Sequence, residues 1–236
     1  MTHWRIETFE TLDSTSDLCL ARAAAGEAAG FAVLAGVQTG GRGRAGRSWQ
    51  SPPGNLFLSV LLRPAARPED AGLFSLMAGL VLAESLQRFL PPPVKTMLKW
   101  PNDVLIGSAK LGGVLIEAGI ETDRIGWMVI GFGANLAHAP GVPGRAVTSL
   151  AAHGGAANPN QVMREILARL DRWLNPMEPE TLRAAWLGRA HAPGTPVTVD
   201  GGRVSGSFAG LTAEGSLLLE RAGGVETIRA GEIALG

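Results

Sequence analysis

The run Leu56-Phe57-Leu58-Ser59-Val60-Leu61-Leu62 carries one polar side chain in seven positions. A strand with one wet face alternates apolar and polar residues. This run does not, so as a strand it is covered on both sides and sits inside a sheet. A second apolar run, residues 31–37, precedes it. Between them lies Gln38-Thr39-Gly40-Gly41-Arg42-Gly43-Arg44-Ala45-Gly46-Arg47-Ser48-Trp49, with four glycines, three arginines and a tryptophan. Glycine admits positive φ and close backbone approach. Arginine forks match carboxylate and phosphate oxygens in pairs, and tryptophan offers a flat apolar face. These residue types suggest a loop that closes over an anionic ligand, with the rest of the chain as its floor. The same composition also occurs in RNA-binding segments and in plain surface loops. No Gly-Lys-Ser/Thr follows, so the loop is not a phosphate-binding P-loop. The spacing Gly41-x-Gly43-x-x-Gly46 fits a dinucleotide fingerprint, but Ser51-Pro52-Pro53 follows it where that fingerprint needs a helix.

At 236 residues the chain can bury one sizeable core, with or without a small appendage. Twenty-one basic residues balance twenty-one acidic ones, which gives no general attraction to nucleic acid and weakens the RNA reading of the loop. Cys19 is the only cysteine, excluding an internal disulfide and a structural zinc cluster and suiting a reducing compartment. Flanked by Leu18 and Leu20, it reads as a small buried hydrophobe. Met1 leads into Thr2-His3-Trp4-Arg5 without the basic and apolar regions of a signal peptide, and no 18-residue uncharged apolar window exists. The expectation is a cytoplasmic protein with no membrane association.

Residues 4–9 alternate as a strand, and Ser14 and Thr15 suit the N-cap of an alanine-rich helix that follows. Residues 68–90 read as a core helix with Leu73, Leu76, Met77, Leu80 and Val81 on one stripe, stopped by Pro91-Pro92-Pro93. A strand runs into Lys99-Trp100, breaks at Pro101-Asn102-Asp103 and resumes. Residues 107–113 then read as a turn, with Lys110 at the reversal beside Gly112 and Gly113. Residues 124–133 form another strand, ending in Gly131-Phe132-Gly133-Ala134-Asn135. Residues 137–158 read as a long surface loop, followed by helices at 159–174 and 180–189. Beyond Thr195, short strands separated by Gly-rich turns suggest a small antiparallel barrel, too small for a core of its own and so docked on the main domain.

Taken in order, Leu12-Asp13-Ser14-Thr15, Gln38 with its Gly-Arg loop, Lys99-Trp100-Pro101-Asn102-Asp103, Lys110-Leu111-Gly112-Gly113 and Gly131-x-Gly133-x-Asn135 resemble the biotin–protein ligases, enzymes that join biotin to a carrier lysine. The resemblance covers nearly the whole chain. It implies an α+β fold: a mixed β-sheet with helices packed on one face, like the class II aminoacyl-tRNA synthetases, plus a small C-terminal SH3-like β-barrel. It divides the chain into a catalytic domain at 1–191 and a barrel at 192–236. It implies biotin as substrate, ATP and Mg²⁺, and a biotin carboxyl carrier domain of a carboxylase as partner.

The same resemblance places Ser14, Thr15, Ser16, Gln38, Gly41 and Gly113 at biotin, with Arg42, Gly43 and Arg44 at its carboxylate and the phosphate. Lys110 bridges carboxyl oxygen and α-phosphate, and Lys110, Arg42 and Arg44 are the expected catalytic residues. Arg44, Arg47, Trp49, Asn102, Asp103 and Asn135 fall on the nucleotide side; no fixed protein metal ligands are expected, Asp103 being the one candidate. Ser16 stands where the family usually has Asn, Ala45 where some relatives carry a further Arg, and Gly112 replaces an alanine. Some relatives add an N-terminal DNA-binding domain; here the first strand starts almost at Met1, so no DNA binding is expected. Pairing of two copies through a sheet edge stays open. The alternatives are a lipoate or octanoate ligase or transferase of the same fold, a non-catalytic biotin or nucleotide sensor, and an RNA-binding protein.

Overall fold

A seven-stranded sheet carries the first two thirds of the chain, with strand order β1-β2-β3-β7-β6-β5-β4. The computed structural model describes residues 2–235; Met1 and Gly236, the outer limits of the two expected domains, lie outside them. The strands are β1 (Arg5–Leu12), β2 (Phe31–Gln38), β3 (Leu56–Leu62), β4 (Thr96–Lys99), β5 (Asp103–Ile106), β6 (Ala109–Glu121) and β7 (Arg124–Ala134). Among the described strands of this sheet, β1 and β2 pair in parallel and the other pairs are antiparallel, which makes the sheet mixed. All seven residues of β3 are buried, and the strand lies between β2 and β7, as its lack of a polar face requires.

Helix α1 (Thr15–Ala24) is the crossover between β1 and β2. Ser14 caps it, its Oγ accepting the Asp17 N–H at 3.2 Å. Three further helices, α2 (Ala71–Gln87), α3 (Pro159–Leu174) and α4 (Pro179–Leu187), share one core with Ala32, Leu34, Leu58 and Val60. The intervening positions Phe31, Val33 and Leu61 instead join Cys19 and Ala23 of α1 in a separate cluster. Because side chains alternate across a strand, α2, α3 and α4 cover one face and α1 covers part of the other. Beyond the N-terminus of α1, that second face is open, and there the site forms. Helix α3 opens with a capping box: Asn158 and Gln161 each accept the other's backbone N–H at 2.9 Å.

The C-terminal strands β8 (Pro196–Val199), β9 (Val204–Leu211), β10 (Leu217–Arg221), β11 (Gly224–Ile228) and β12 (Ile233–Leu235) form an antiparallel five-stranded sheet, order β11-β10-β9-β8-β12. Its apolar side chains Val197, Phe208, Leu217 and Ile233 belong to the same core as α2, so this unit is docked rather than independent. Trp100 explains its place in a turn motif here: it is buried, and its Nε1–H donates to the Gly215 carbonyl at 3.1 Å across the seam. A Cβ on Gly72 would lie 2.4 Å from the Glu214 carbonyl oxygen, so α2 and the β9–β10 turn approach backbone to backbone.

Two local expectations need correction. Lys110 is not in the turn, which is confined to Gly107 and Ser108; it is the second residue of β6, beside a register shift opposite Val104 and Leu105. Such a bulge re-aims a side chain, here toward β5. The stretch 137–158 is also not all surface. Its first part is exposed, but Thr148, Ser149 and Leu150 are buried, with Thr148 N–H donating to the Lys110 carbonyl and Leu150 N–H to that of Asn135. Asn55, fully buried, anchors the start of this stretch: its Oδ1 accepts from the N–H groups of Leu136, Ala137 and His138 at 2.9, 3.0 and 3.1 Å.

Candidate active site

A cavity of about 300 Å³ opens on the α1 face of the sheet. Its floor includes Phe57 of β3, Gly113 and Leu115 of β6, and Gly131 and Gly133 of β7. The two β7 glycines keep that floor low. A Cβ on Gly131 would lie 2.8 Å from Ser16 Oγ, and one on Gly133 would lie 2.8 Å from the Trp49 ring. Of the residues expected at the site, Ser14, Thr15, Ser16, Gln38, Arg42, Gly43, Arg44, Arg47, Trp49, Asn102, Asp103, Lys110, Gly113 and Asn135 all line this cavity. Gly41 does not, but its position is just as constrained: a Cβ there would fall 2.4 Å from the Trp49 carbonyl oxygen and 2.6 Å from Ser51 Oγ.

One end of the cavity is uncharged and rich in hydrogen-bonding groups. Thr15 donates to Gln38 Oε1 through its backbone N–H at 2.9 Å and through Oγ1 at 3.1 Å. Ser59, the lone polar residue of β3, meets Thr15 Oγ1 at 2.8 Å and Ser16 Oγ at 3.1 Å. Gln38 Nε2 donates to Ser51 Oγ at 3.0 Å, which in turn donates to the Trp49 carbonyl. This network fixes the Gln38 amide between α1 and the arginine loop. The N-terminus of α1 adds a partial positive charge.

The loop itself curls back through an Arg42–Ser48 bridge, with Ala45 at a φ of 54° at its tip. Its arginines are not equivalent. Arg42 is held by Glu117 through two bonds, 3.1 and 2.6 Å, and by Asp17 at 2.8 Å. Arg47 pairs with Glu232 at 2.6 Å. Arg44 reaches only the Asn102 Oδ1, at 3.2 Å, and has no carboxylate partner among the described residues. Its guanidinium thus lines the cavity without a direct counter-charge among the described residues.

Opposite lies a buried carboxylate with two ammonium partners. Asp103 accepts from Lys110 Nζ at 2.5 Å and pairs with Lys99 Nζ at 3.1 Å. Burial alone would raise the Asp103 carboxyl, but the charges and hydrogen bonds of Lys110 and Lys99 outweigh it and hold it below the usual carboxylate range. Lys110 Nζ also stands 5.4 Å from the Trp49 ring centroid, within cation–π reach. The Trp49 Nε1–H is buried without a hydrogen-bond partner among the described residues. A buried donor in that state gains when an acceptor arrives, which suits a ligand contact. Asn135 has both a cavity-lining position and a structural bond, its Nδ2–H donating to the Thr148 carbonyl at 2.9 Å.

Sequence reasoning missed several participants. Ser51 accepts from Gln38, Ser59 meets the hydroxyls of Thr15 and Ser16, and Lys99 shares Asp103 with Lys110. Lys99 sits four residues before Asp103, a spacing with no meaning for a strand pair until the hairpin register sets Lys99 opposite Asp103. Glu117, Arg145 and Glu232 carry no local signal at all. Cys19 lies outside the cavity lining, fully buried, with its thiol pushed up to about 12 by burial and by Glu7.

No group of three or more His, Cys, Asp or Glu residues able to hold a metal ion occurs among the described residues. Both Asp103 oxygens already meet ammonium groups, so this carboxylate does not fit the role of a fixed metal ligand. No helix among the described residues is long and apolar enough to cross a membrane.

Comparison with known proteins agrees with this geometry. The profile of the Biotin/lipoate A/B protein ligase family matches residues 9–135, and that of the Biotin protein ligase C terminal domain matches 194–236. A biotin–[acetyl-CoA-carboxylase] ligase of Mycobacterium tuberculosis is 35% identical over 98% of this chain and 89% of its own length. One of Paracoccus denitrificans is 33% identical over 86% of this chain and 90% of its own. The structure of an Aquifex aeolicus biotin protein ligase in complex with biotin and ATP superposes with a TM-score of 0.82 at 27% identity, covering 98% of both chains. The neighbours share the mixed sheet expected of the class II synthetase-like fold, and this chain belongs to the biotin/lipoate A/B protein ligase family.

Proposed function

We propose that this protein is an ATP-dependent ligase that activates biotin as biotinyl-5′-adenylate and transfers the biotinyl group to a lysine of a biotin carboxyl carrier domain of a carboxylase. The observation that carries this reading is the division of one cavity into two chemistries. An uncharged nook of Ser14, Thr15, Ser16 and Gln38 stands at one end, and the cations Arg44 and Lys110 line the same cavity. A ring with hydrogen-bonding groups and a carboxylate tail fits such a pair, and so does an acid that must meet a phosphate.

In the first step a biotin carboxylate oxygen attacks the α-phosphorus of ATP. A P–O bond forms, and the bond to pyrophosphate breaks. Two anions repel, so cations fixed beforehand lower the barrier most. Lys110 supplies that charge in this reading: the Asp103 carboxylate keeps its ammonium in one place, and its Trp49 neighbour limits access of water. Arg44 adds the second charge, with Arg42 acting through the loop that its bonds to Glu117 and Asp17 hold down. Trp49, Asn135, Arg47, Asn102 and Asp103 form the nucleotide side. In the second step a carrier lysine amine attacks the acyl carbon, the C–O bond to phosphate breaks, and AMP leaves. No enzyme nucleophile is needed. Mg²⁺ belongs to this reading as a companion of the nucleotide phosphates.

A catalytic part at 1–191 and a C-terminal unit at 192–236 complete the reading, supported by the separate five-stranded sheet. So does a cytoplasmic location, supported by a single cysteine that can form no internal disulfide. The lipoate or octanoate alternative is less well supported: the C-terminal match is to biotin ligases, and Cys19, buried outside the cavity lining, offers no acyl-carrying thiol to a transferase. Incubation with ATP, biotin and a purified carrier domain tests the proposal. Biotin should appear on the carrier lysine, and a Lys-to-Arg carrier should stay unmodified. A carrier that takes up lipoate and not biotin would contradict it.

A further inference from the structure

Glu232 precedes β12 in the C-terminal unit, yet it lines the cavity. Its carboxylate accepts two arginines, one on each oxygen: Arg47 at 2.6 Å and Arg145 at 2.6 Å. The backbone that carries it is fixed twice to Asp200, whose Oδ1 accepts the Glu232 N–H at 3.0 Å and whose N–H donates to the Glu232 carbonyl at 2.9 Å.

The two arginines come from different segments of the cavity wall. Arg47 closes the arginine loop, since its carbonyl accepts the Gly43 N–H at 2.7 Å and its Nε–H donates to the Arg44 carbonyl at 3.1 Å. Arg145 belongs to the exposed segment 140–147, which reaches the reacting end through the Ala146 carbonyl, the acceptor of the Lys110 N–H. An isolated exposed ion pair contributes little. Here a single carboxylate, anchored at the end of the β8–β12 pair, joins two segments between which no direct hydrogen bond or ion pair occurs among the described residues.

We propose that Glu232 is a latch: a positioning residue that ties the arginine loop to segment 140–147 and keeps the acyl-adenylate from water until the carrier amine arrives. The latch stands on the geometry; its purpose rests on the ligase reading. With the latch open, water attacks the acyl carbon, the C–O bond to phosphate breaks, and biotin and AMP leave with no carrier product.

The test is Glu232→Gln in the full chain, with Arg145→Gln as a second variant that removes one arm only. Hydrogen exchange without substrates should speed up at least threefold in peptides covering 40–50 and 139–148 for Glu232→Gln, and mainly in the second for Arg145→Gln. With biotin, ATP and carrier, the ratio of AMP formed to carrier biotinylated should rise at least threefold for Glu232→Gln, and Glu232→Asp should restore part of it. Unchanged exchange in both peptides overturns the latch. Faster exchange with an unchanged AMP ratio overturns its purpose. A wild type that forms no biotin-dependent AMP overturns the ligase reading and the purpose with it, and the substrate-free exchange tells that failure apart. Should Glu232→Gln not fold, Arg145→Gln decides by the same two readouts.

Discussion

Lys110 Nζ lies 2.5 Å from Asp103 Oδ1, and the second oxygen of the same carboxylate is 3.1 Å from Lys99 Nζ. One buried anion thus holds two cations, of which Lys110 lines the cavity, and it can orient Lys110 without cancelling the whole positive charge of the pair.

Replacing Asp103 by Asn removes the counter-charge and leaves two ammonium groups facing each other. Breaking a buried pair costs about 3 kcal/mol at the low end of the usual range, and the low end applies because the Lys99 and Lys110 side chains keep 16% and 20% exposure. Denaturant unfolding of Asp103→Asn checks this; a loss below about 1 kcal/mol would contradict it.

The depressed Asp103 carboxyl also sets a pH dependence. Because its folded value lies below its unfolded one, the stability it contributes is present above the ordinary carboxylate pKa. That stability is lost as pH falls through the lower, folded value. The acid limb of the stability curve should therefore flatten in Asp103→Asn relative to wild type as pH falls through and below the ordinary carboxylate range. Parallel limbs would mean the carboxylate is not so held.

Lys110→Ala should slow adenylation by about 2–4 kcal/mol of barrier, the scale of one removed oxyanion donor. Single-turnover formation of the adenylate is the measurement. A rate within threefold of wild type would remove Lys110 from the reaction.

Gly133→Ala places a methyl 2.8 Å from the Trp49 ring, which must then shift. The KM for ATP should rise about tenfold, equivalent to about 1.4 kcal/mol, with the KM for biotin less affected. Equal rises in both, or none, would argue against Trp49 as a nucleotide-side wall.

Cys19→Ala should keep carrier biotinylation within twofold of wild type while losing about 1 kcal/mol of stability from a small buried void. The wild-type thiol, pushed up to about 12, should resist alkylation at pH 8 in the folded protein. Loss of transfer activity in Cys19→Ala would point back to a thiol-dependent transferase.

The strands and helices were legible because their patterns are local. Leu56–Leu62 has no polar face, and α3 shows its apolar stripe and capping residues within one segment. The cavity-lining motifs were legible as residue types, since Gln38, the arginine loop, Lys110 and Asn135 all line one cavity. Other features depend on relations that no local pattern carries. Lys110 reads as a turn residue until the bulge against β5 turns it toward Asp103. The place of α1 on the face opposite α2 follows from alternation along β2, visible only once both clusters are known. Arg42 reads as a ligand-binding cation, yet Glu117, 75 residues away, already engages it. Glu232 meets Arg47 across 185 residues, with nothing in either neighbourhood to announce it.

Exchange of labelled pyrophosphate into ATP, with biotin, lipoate and octanoate offered separately, tests the central claim most directly. Biotin should support exchange, and the other two acids should support it at least about a hundredfold more slowly, because they leave the hydrogen-bonding nook of Thr15, Ser16 and Gln38 unpaired. Exchange with lipoate at a rate equal to biotin, or none with any acid despite measurable biotin binding, would contradict the account.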